Sequence, residues 1–248
     1  MQQKQVIEFE SKQAKIEEAI YQVPVINGLS NDAIADGVGD VAAYLSTSPK
    51  VAWVLKEPYD ETEDGIEAGG GWSIQRDCFM KNGGPWSVRT WQRVIYVMYG
   101  LRNHLHYAGM DYIRDDWSMG KVLREIAWIN LSKMPALTKS SNTAVREAYE
   151  QYWKDIIKAQ IELYNPDVIV FGKTLDLCKN SFLDETDQSI DKVYRDGVYM
   201  IDVYKKNGRL LLNAYHPGFI SISGLKGGEG HYVDSLIDTV EKYYEHSR

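Results

Sequence analysis

Short runs built only of apolar residues alternate along this chain with longer segments in which apolar residues return every three or four positions. Val51 to Leu55 (VAWVL), Ile126 to Ile129 and Asp167 to Phe171 (DVIVF) are short and apolar almost throughout, the pattern of strands covered on both faces. Val198 to Val203 and Leu210 to Ala214, separated by a KKNG turn, predict two more strands. Residues 4 to 20 have apolar positions at loose helical spacing. Asn31 is placed to cap a second helix running to about Leu45, so residues 1–48 read as a helical N-terminal layer. Trp86 to Leu101 sets Trp91, Ile95, Met98 and Tyr99 on one helical face, and Asn142 is placed to cap a long helix through Tyr164 that Asn165-Pro166 stops. A glycine-rich loop, Gly224 to Gly230, precedes a closing helix from about Tyr232 to Tyr244. Strands alternating with helices predict a single domain over residues 1–248, of the α/β class: a three-layer α/β/α sandwich with a central mainly parallel sheet.

Ligands of such sheets gather beyond the carboxyl ends of the strands, and three of the predicted strands end in polar residues there. VAWVL runs into Lys56-Glu57-Pro58-Tyr59, the strand from Ile126 stops at Asn130, and the last strand stops at Tyr215-His216-Pro217. Together they offer a carboxylate as base or charge stabiliser, an amide that can read a hydrogen-bonding edge, and an imidazole donor. The segment from Lys56 to Pro85 is long and glycine-rich, as functional loops often are. Within it, Trp72 follows Gly69-Gly70-Gly71 and is the aromatic best placed to stack on a ligand, whereas Trp91, Tyr149 and Trp153 sit at core spacing.

Composition narrows the function. The chain of 248 residues carries 28 Lys and Arg against 35 Asp and Glu, a formal charge of −7, which excludes a broad basic field for polyanions and leaves only local nucleic-acid contacts. Its 2 cysteines, Cys78 and Cys178, are too few for a zinc ribbon or a four-cysteine iron–sulfur site. No segment has the unbroken apolar length of a secretory signal or a membrane span, so a cytoplasmic protein without a membrane partner is expected.

These strand-end residues, in this order, resemble the motifs of the uracil-DNA glycosylase superfamily over roughly Val51 to Tyr244. Lys56-Glu57-Pro58-Tyr59 is similar to that family's Gly-Gln-Asp-Pro-Tyr motif, and Trp72-Ser73 to its aromatic-Ser pair. Asn130, followed by Lys133 and by Asn165 to Gly172, resembles the layout of another branch, and His216-Pro217-Gly218-Phe219-Ile220-Ser221 its His-Pro-Ser-Pro-Leu-Ser motif. The resemblance implies a monomeric hydrolase, without metal or cofactor, that flips uracil or a related damaged base out of DNA and cuts its N-glycosidic bond. It casts Glu57 and His216 as catalytic, and Tyr59, Trp72 and Asn130 as base-binding. Ile220, Phe219, Ser221 and Lys133 fall to wedge or phosphate contacts. Glu57 stands where the family has Asp, Lys56 where it has Gln, and Gly218-Phe219 where it has Ser-Pro, and the iron–sulfur cysteines of one branch are absent. The alternative implied by these departures is a catalytically silent relative that binds a nucleobase, nucleotide or single-stranded nucleic acid.

Overall fold

The computed structural model describes residues 2–23, 33–60, 69–80, 88–136, 141–224 and 226–245. Six strands form one mixed, mostly parallel sheet in the order β2-β1-β3-β6-β5-β4. They are β1 (Val51–Leu55), β2 (Ala127–Asn130), β3 (Val168–Gly172), β4 (Asp191–Arg195), β5 (Val198–Lys206) and β6 (Arg209–Ala214). The four strands β2, β1, β3 and β6 are parallel, and β5 and β4 extend the sheet antiparallel. The helices are α1 (Gln2–Tyr21), α2 (Val41–Ser46), α3 (Arg89–Asn103), α4 (Asn142–Ala148), α5 (Lys154–Tyr164), α6 (Leu175–Cys178) and α7 (Gly228–Glu245).

Every residue of β1, β2 and β3 is buried, because helices cover both faces of the sheet. Trp53, Leu55, Val170 and Leu212 point to one face and pack with side chains of α3 and α7. Ala52, Val54, Phe171 and Leu211 point to the other, against α1, α4 and α5. The two-residue period of a strand therefore feeds two separate cores, and each apolar run must be apolar throughout.

Several elements differ from the sequence reading. Asn31 lies outside the described residues, as does Trp86, and residues 33–40 are not helical; α2 begins only at Val41, where the Asp40 carboxylate accepts from the Ala43 N–H at 2.9 Å. Residues 34–38 instead run along the open edge of β2. Gly37 O accepts from Trp128 N at 3.0 Å, and Ile34 N donates to Lys133 O at 2.7 Å. An uncovered strand edge leaves backbone groups unpaired, and this segment satisfies them. The long helix is capped by Ser141, whose hydroxyl accepts from Ala144 N, and a π-helical turn at Tyr149–Trp153 separates α4 from α5. The closing helix starts at Gly228, inside the expected glycine-rich loop. β4 was not expected at all: its DKVYR pattern is polar because it is a half-exposed edge strand. No helix of the described residues is long and apolar enough to cross a membrane.

Candidate functional site

The strand order changes direction about β1, with β2 on one side and β3 on the other, and a cleft of about 630 Å³ opens beyond the carboxyl ends of these strands. Its polar lining comes from three chain segments: Lys56 and Glu57 after β1, Asn130 at the end of β2, and His216 after β6. Tyr59, Trp72 and Phe219 line it as well, so six of the residues given a catalytic, base-binding or wedge role in the sequence reading, Glu57, Tyr59, Trp72, Asn130, His216 and Phe219, converge on one cavity.

The segments after β1 and β2 continue the ladder beyond the sheet. Leu131 N donates to Leu55 O at 2.9 Å, Ser132 N to Lys56 O at 2.8 Å, and Ala136 N to Pro58 O at 2.9 Å. Glu57 and Asn130 are thereby carried on two strands of backbone that cannot slide apart. Asn130 itself is 2% exposed, and its side-chain Nδ2 has no hydrogen-bond partner among the described residues. A buried amide donor left unpaired costs about 1–3 kcal/mol.

A buried polar cluster sits behind Asn130. The Asp36 carboxylate accepts from Asn130 N at 2.7 Å, from Lys133 Nζ at 2.7 and 2.9 Å, and from Gln160 Nε2 at 2.7 Å. Lys133 also donates to Gln160 Oε1 at 3.0 Å. Lys133 is 0% exposed, which corrects the expectation of a phosphate contact: its ammonium neutralises a buried carboxylate and never reaches the surface. Burial pushes the ammonium below its usual range, and the Asp36 charge pulls the other way.

On the opposite wall, His216 is partly buried, and its Nδ1 accepts from the Gly218 N–H at 3.0 Å. Burial first, then the nearby Lys56 and Arg93 charges, lowers its pKa from 6.5 to about 4. The imidazole is therefore neutral near pH 7, and with Nδ1 used as an acceptor its proton sits on Nε2 as a donor. Arg93 of α3, 1% exposed, holds the loop in place: its guanidinium donates to Pro217 O at 2.6 Å, Phe219 O at 2.9 Å and the Glu229 carboxylate at 2.8 Å. The loop also explains the glycine at 218. A Cβ there would lie 2.4 Å from Thr90 Oγ1 and 3.1 Å from His216 Nδ1, so a serine at this position, as in the motif that the segment resembles, does not fit this loop as it stands.

Trp72 is aimed by its neighbours. Gly69, Gly70 and Gly71 all have positive φ (102°, 67° and 76°), a path that side chains disfavour. Asp60 then accepts from Gly70 N and from Trp72 Nε1, each at 2.9 Å. The acidic residues that follow Asp60 in the sequence, Glu61, Glu63 and Asp64, lie outside the described residues. The floor holds two aromatics that were not singled out as ligand contacts, Trp91 and Trp128, with ring centroids 4.1 Å apart and Phe79 edge-on to both. Trp128 was detectable in principle, because it stands two residues before Asn130 and so on the same face of β2. Arg93 and Asp36 carried no such signal, their partners being 94 residues or more away in sequence.

Tyr59 is 53% exposed and sits at the edge of the cleft, and Phe219 is 44% exposed. Ser221 is exposed on the helical turn Ile220–Gly224, and the side chain of Ile220 lies outside the described residues. Among the described residues no group of three or more His, Cys, Asp or Glu side chains is placed to hold a metal ion. The chain matches no family model and no curated protein sequence.

Proposed function

We propose that this protein has the fold and the chemistry of a uracil-DNA glycosylase: a cytoplasmic monomer that hydrolyses the N-glycosidic bond of uracil, or of a related damaged base, flipped from DNA into the cleft. The observation that carries the reading is that Asn130, buried and with its Nδ2 unpartnered among the described residues, lines the same aromatic cavity as a neutral His216. A pyrimidine ring offers what both groups need. Its ring N–H and carbonyl edge pair with the Asn130 amide, and its other carbonyl accepts from His216 Nε2.

Each side chain then has a task in the reaction. Trp72 and the Trp91–Trp128 floor enclose the flat ring. As the bond to the sugar breaks, negative charge gathers on the departing base, and the His216 N–H meets it without a proton being given up. Glu57 faces the sugar side, where its carboxylate steadies the cationic carbon and orients the attacking water. A neutral histidine suits this task better than a charged one, since the site then excludes a buried cation beside Lys56 and Arg93.

Alkali cleavage of a single strand carrying one uracil tests the reading directly. Product above background is expected, with His216→Ala and Glu57→Ala each slowing excision by at least about tenfold and Asn130→Ala abolishing uracil binding. Unchanged rates in both catalytic variants would overturn the assignment. Base binding through Asn130 with no cleavage by the wild type would make the protein a binding module built on the same pocket.

A further inference from the structure

A line of aromatic side chains leaves the cleft along the same rim of the sheet. Phe219 stacks on Tyr215, with centroids 5.7 Å apart and planes 15° from parallel. Tyr215 meets Tyr199 edge-on at 6.1 Å, and Tyr199 meets Tyr194 edge-on at 5.9 Å. Topology puts them in a row. Tyr215 follows β6, Tyr199 opens the antiparallel β5, and Tyr194 stands opposite Tyr199 in the β4–β5 register. Lys173, one residue past β3, is exposed and reaches over this row, its Nζ 5.3 Å from the Tyr199 centroid and 6.0 Å from that of Tyr215.

The two ends of the row are open, with Phe219 44% and Tyr194 58% exposed. Four neighbouring rings with a cation among them, continuous with a cleft whose proposed occupant is a planar heterocycle, match one class of partner. We propose that the ridge of Phe219, Tyr215, Tyr199 and Tyr194, with Lys173 set into it, binds single-stranded nucleic acid flanking the base in the cleft. Rings offer base-stacking faces that any sequence can use, and an ammonium beside them meets a phosphate. A duplex hides its base faces and gains nothing from tyrosines. Asp202 of β5 accepts from the Tyr199 hydroxyl at 2.8 Å, which fixes that ring in the row. The inference rests on the cleft holding a nucleobase, and it adds a strand preference that the cleft alone does not set.

Fluorescence anisotropy with a labelled single strand of about 12 nucleotides and with its duplex measures the ridge, while quenching of the cleft tryptophans by free uracil measures the pocket. Tyr194→Ala and Lys173→Asn are the variants; both positions are exposed, and Asn tolerates the positive φ of 60° at Lys173. Each is expected to weaken single-strand binding at least about fivefold, with duplex binding and uracil quenching unchanged. Equal single-strand affinity in the double variant, or an equal loss on duplex, overturns the ridge. Uracil quenching that is absent in the wild type, while ridge variants still lose single-strand affinity, overturns the glycosylase reading and leaves the ridge standing.

Discussion

His216 shows how one residue is prepared by its surroundings. Burial and two nearby cations hold its folded-state pKa at about 4 against 6.5 for a free imidazole. Between these values the unfolded chain binds the extra proton, so the contribution to stability is full above about pH 6.5 and is lost as pH falls through about 4. Partial exposure reduces its size to on the order of 2 kcal/mol. Urea unfolding at pH 7 and pH 4.5 checks this: the wild type is expected to lose more stability between the two than His216→Gln, and identical losses would contradict a depressed pKa. A neutral His216 also predicts that excision does not decline between pH 7.5 and 5.5 through this group, where an ordinary histidine would be mostly charged. Glycine at 218 belongs to the same preparation, because only the bare backbone N–H can approach Nδ1 while Thr90 fills the space behind.

At the scale of elements, β2 and the segment covering its edge are fastened through one carboxylate. Asp36→Ala would leave the Lys133 ammonium fully buried without its counter-charge, at a cost of about 3–5 kcal/mol, and would free the Asn130 N–H. The double variant Asp36→Leu/Lys133→Met removes both charges and is expected to regain more than half of that loss in urea unfolding, while uracil affinity stays reduced because Asn130 remains unanchored. Full recovery of both would mean that the cluster stabilises the fold without positioning Asn130. This fastening was not legible in the sequence: Lys133 meets a partner 97 residues upstream, and the resemblance that cast it as a phosphate contact implied an exposure that burial excludes. The central strands were legible because each is an apolar run bounded by turn residues, and the rim residues because they follow those runs directly. Residues 33–40 were misread as helix, since the alternation in AIADGVGD serves edge coverage, and β4 was missed because an edge strand with one wet face carries no apolar run.

For the whole molecule, the charge of −7 sets how nucleic acid can be held. A protein that gathers a polyanion by its overall field neutralises many phosphates, and its affinity then falls steeply with salt. Here several cations are engaged already, among them Arg93 with Glu229, Lys133 with Asp36, and Arg195 with Asp238. Among the described residues, Lys173 on the ridge and Lys56 in the cleft stand on the proposed path of the strand. Contact with about two phosphates gives a slope of log K against log salt of about −1 to −2 for a single strand. Stacking on Phe219 and Tyr194 and the Asn130 and His216 hydrogen bonds then supply most of the affinity, and these terms depend little on salt. Binding of a uracil-containing single strand measured across a series of salt concentrations is expected to give this shallow slope, with Lys173→Asn reducing it by about one phosphate equivalent. A slope steeper than about −4 would require many more phosphate contacts than these two cations supply, and would place the nucleic acid elsewhere on the molecule.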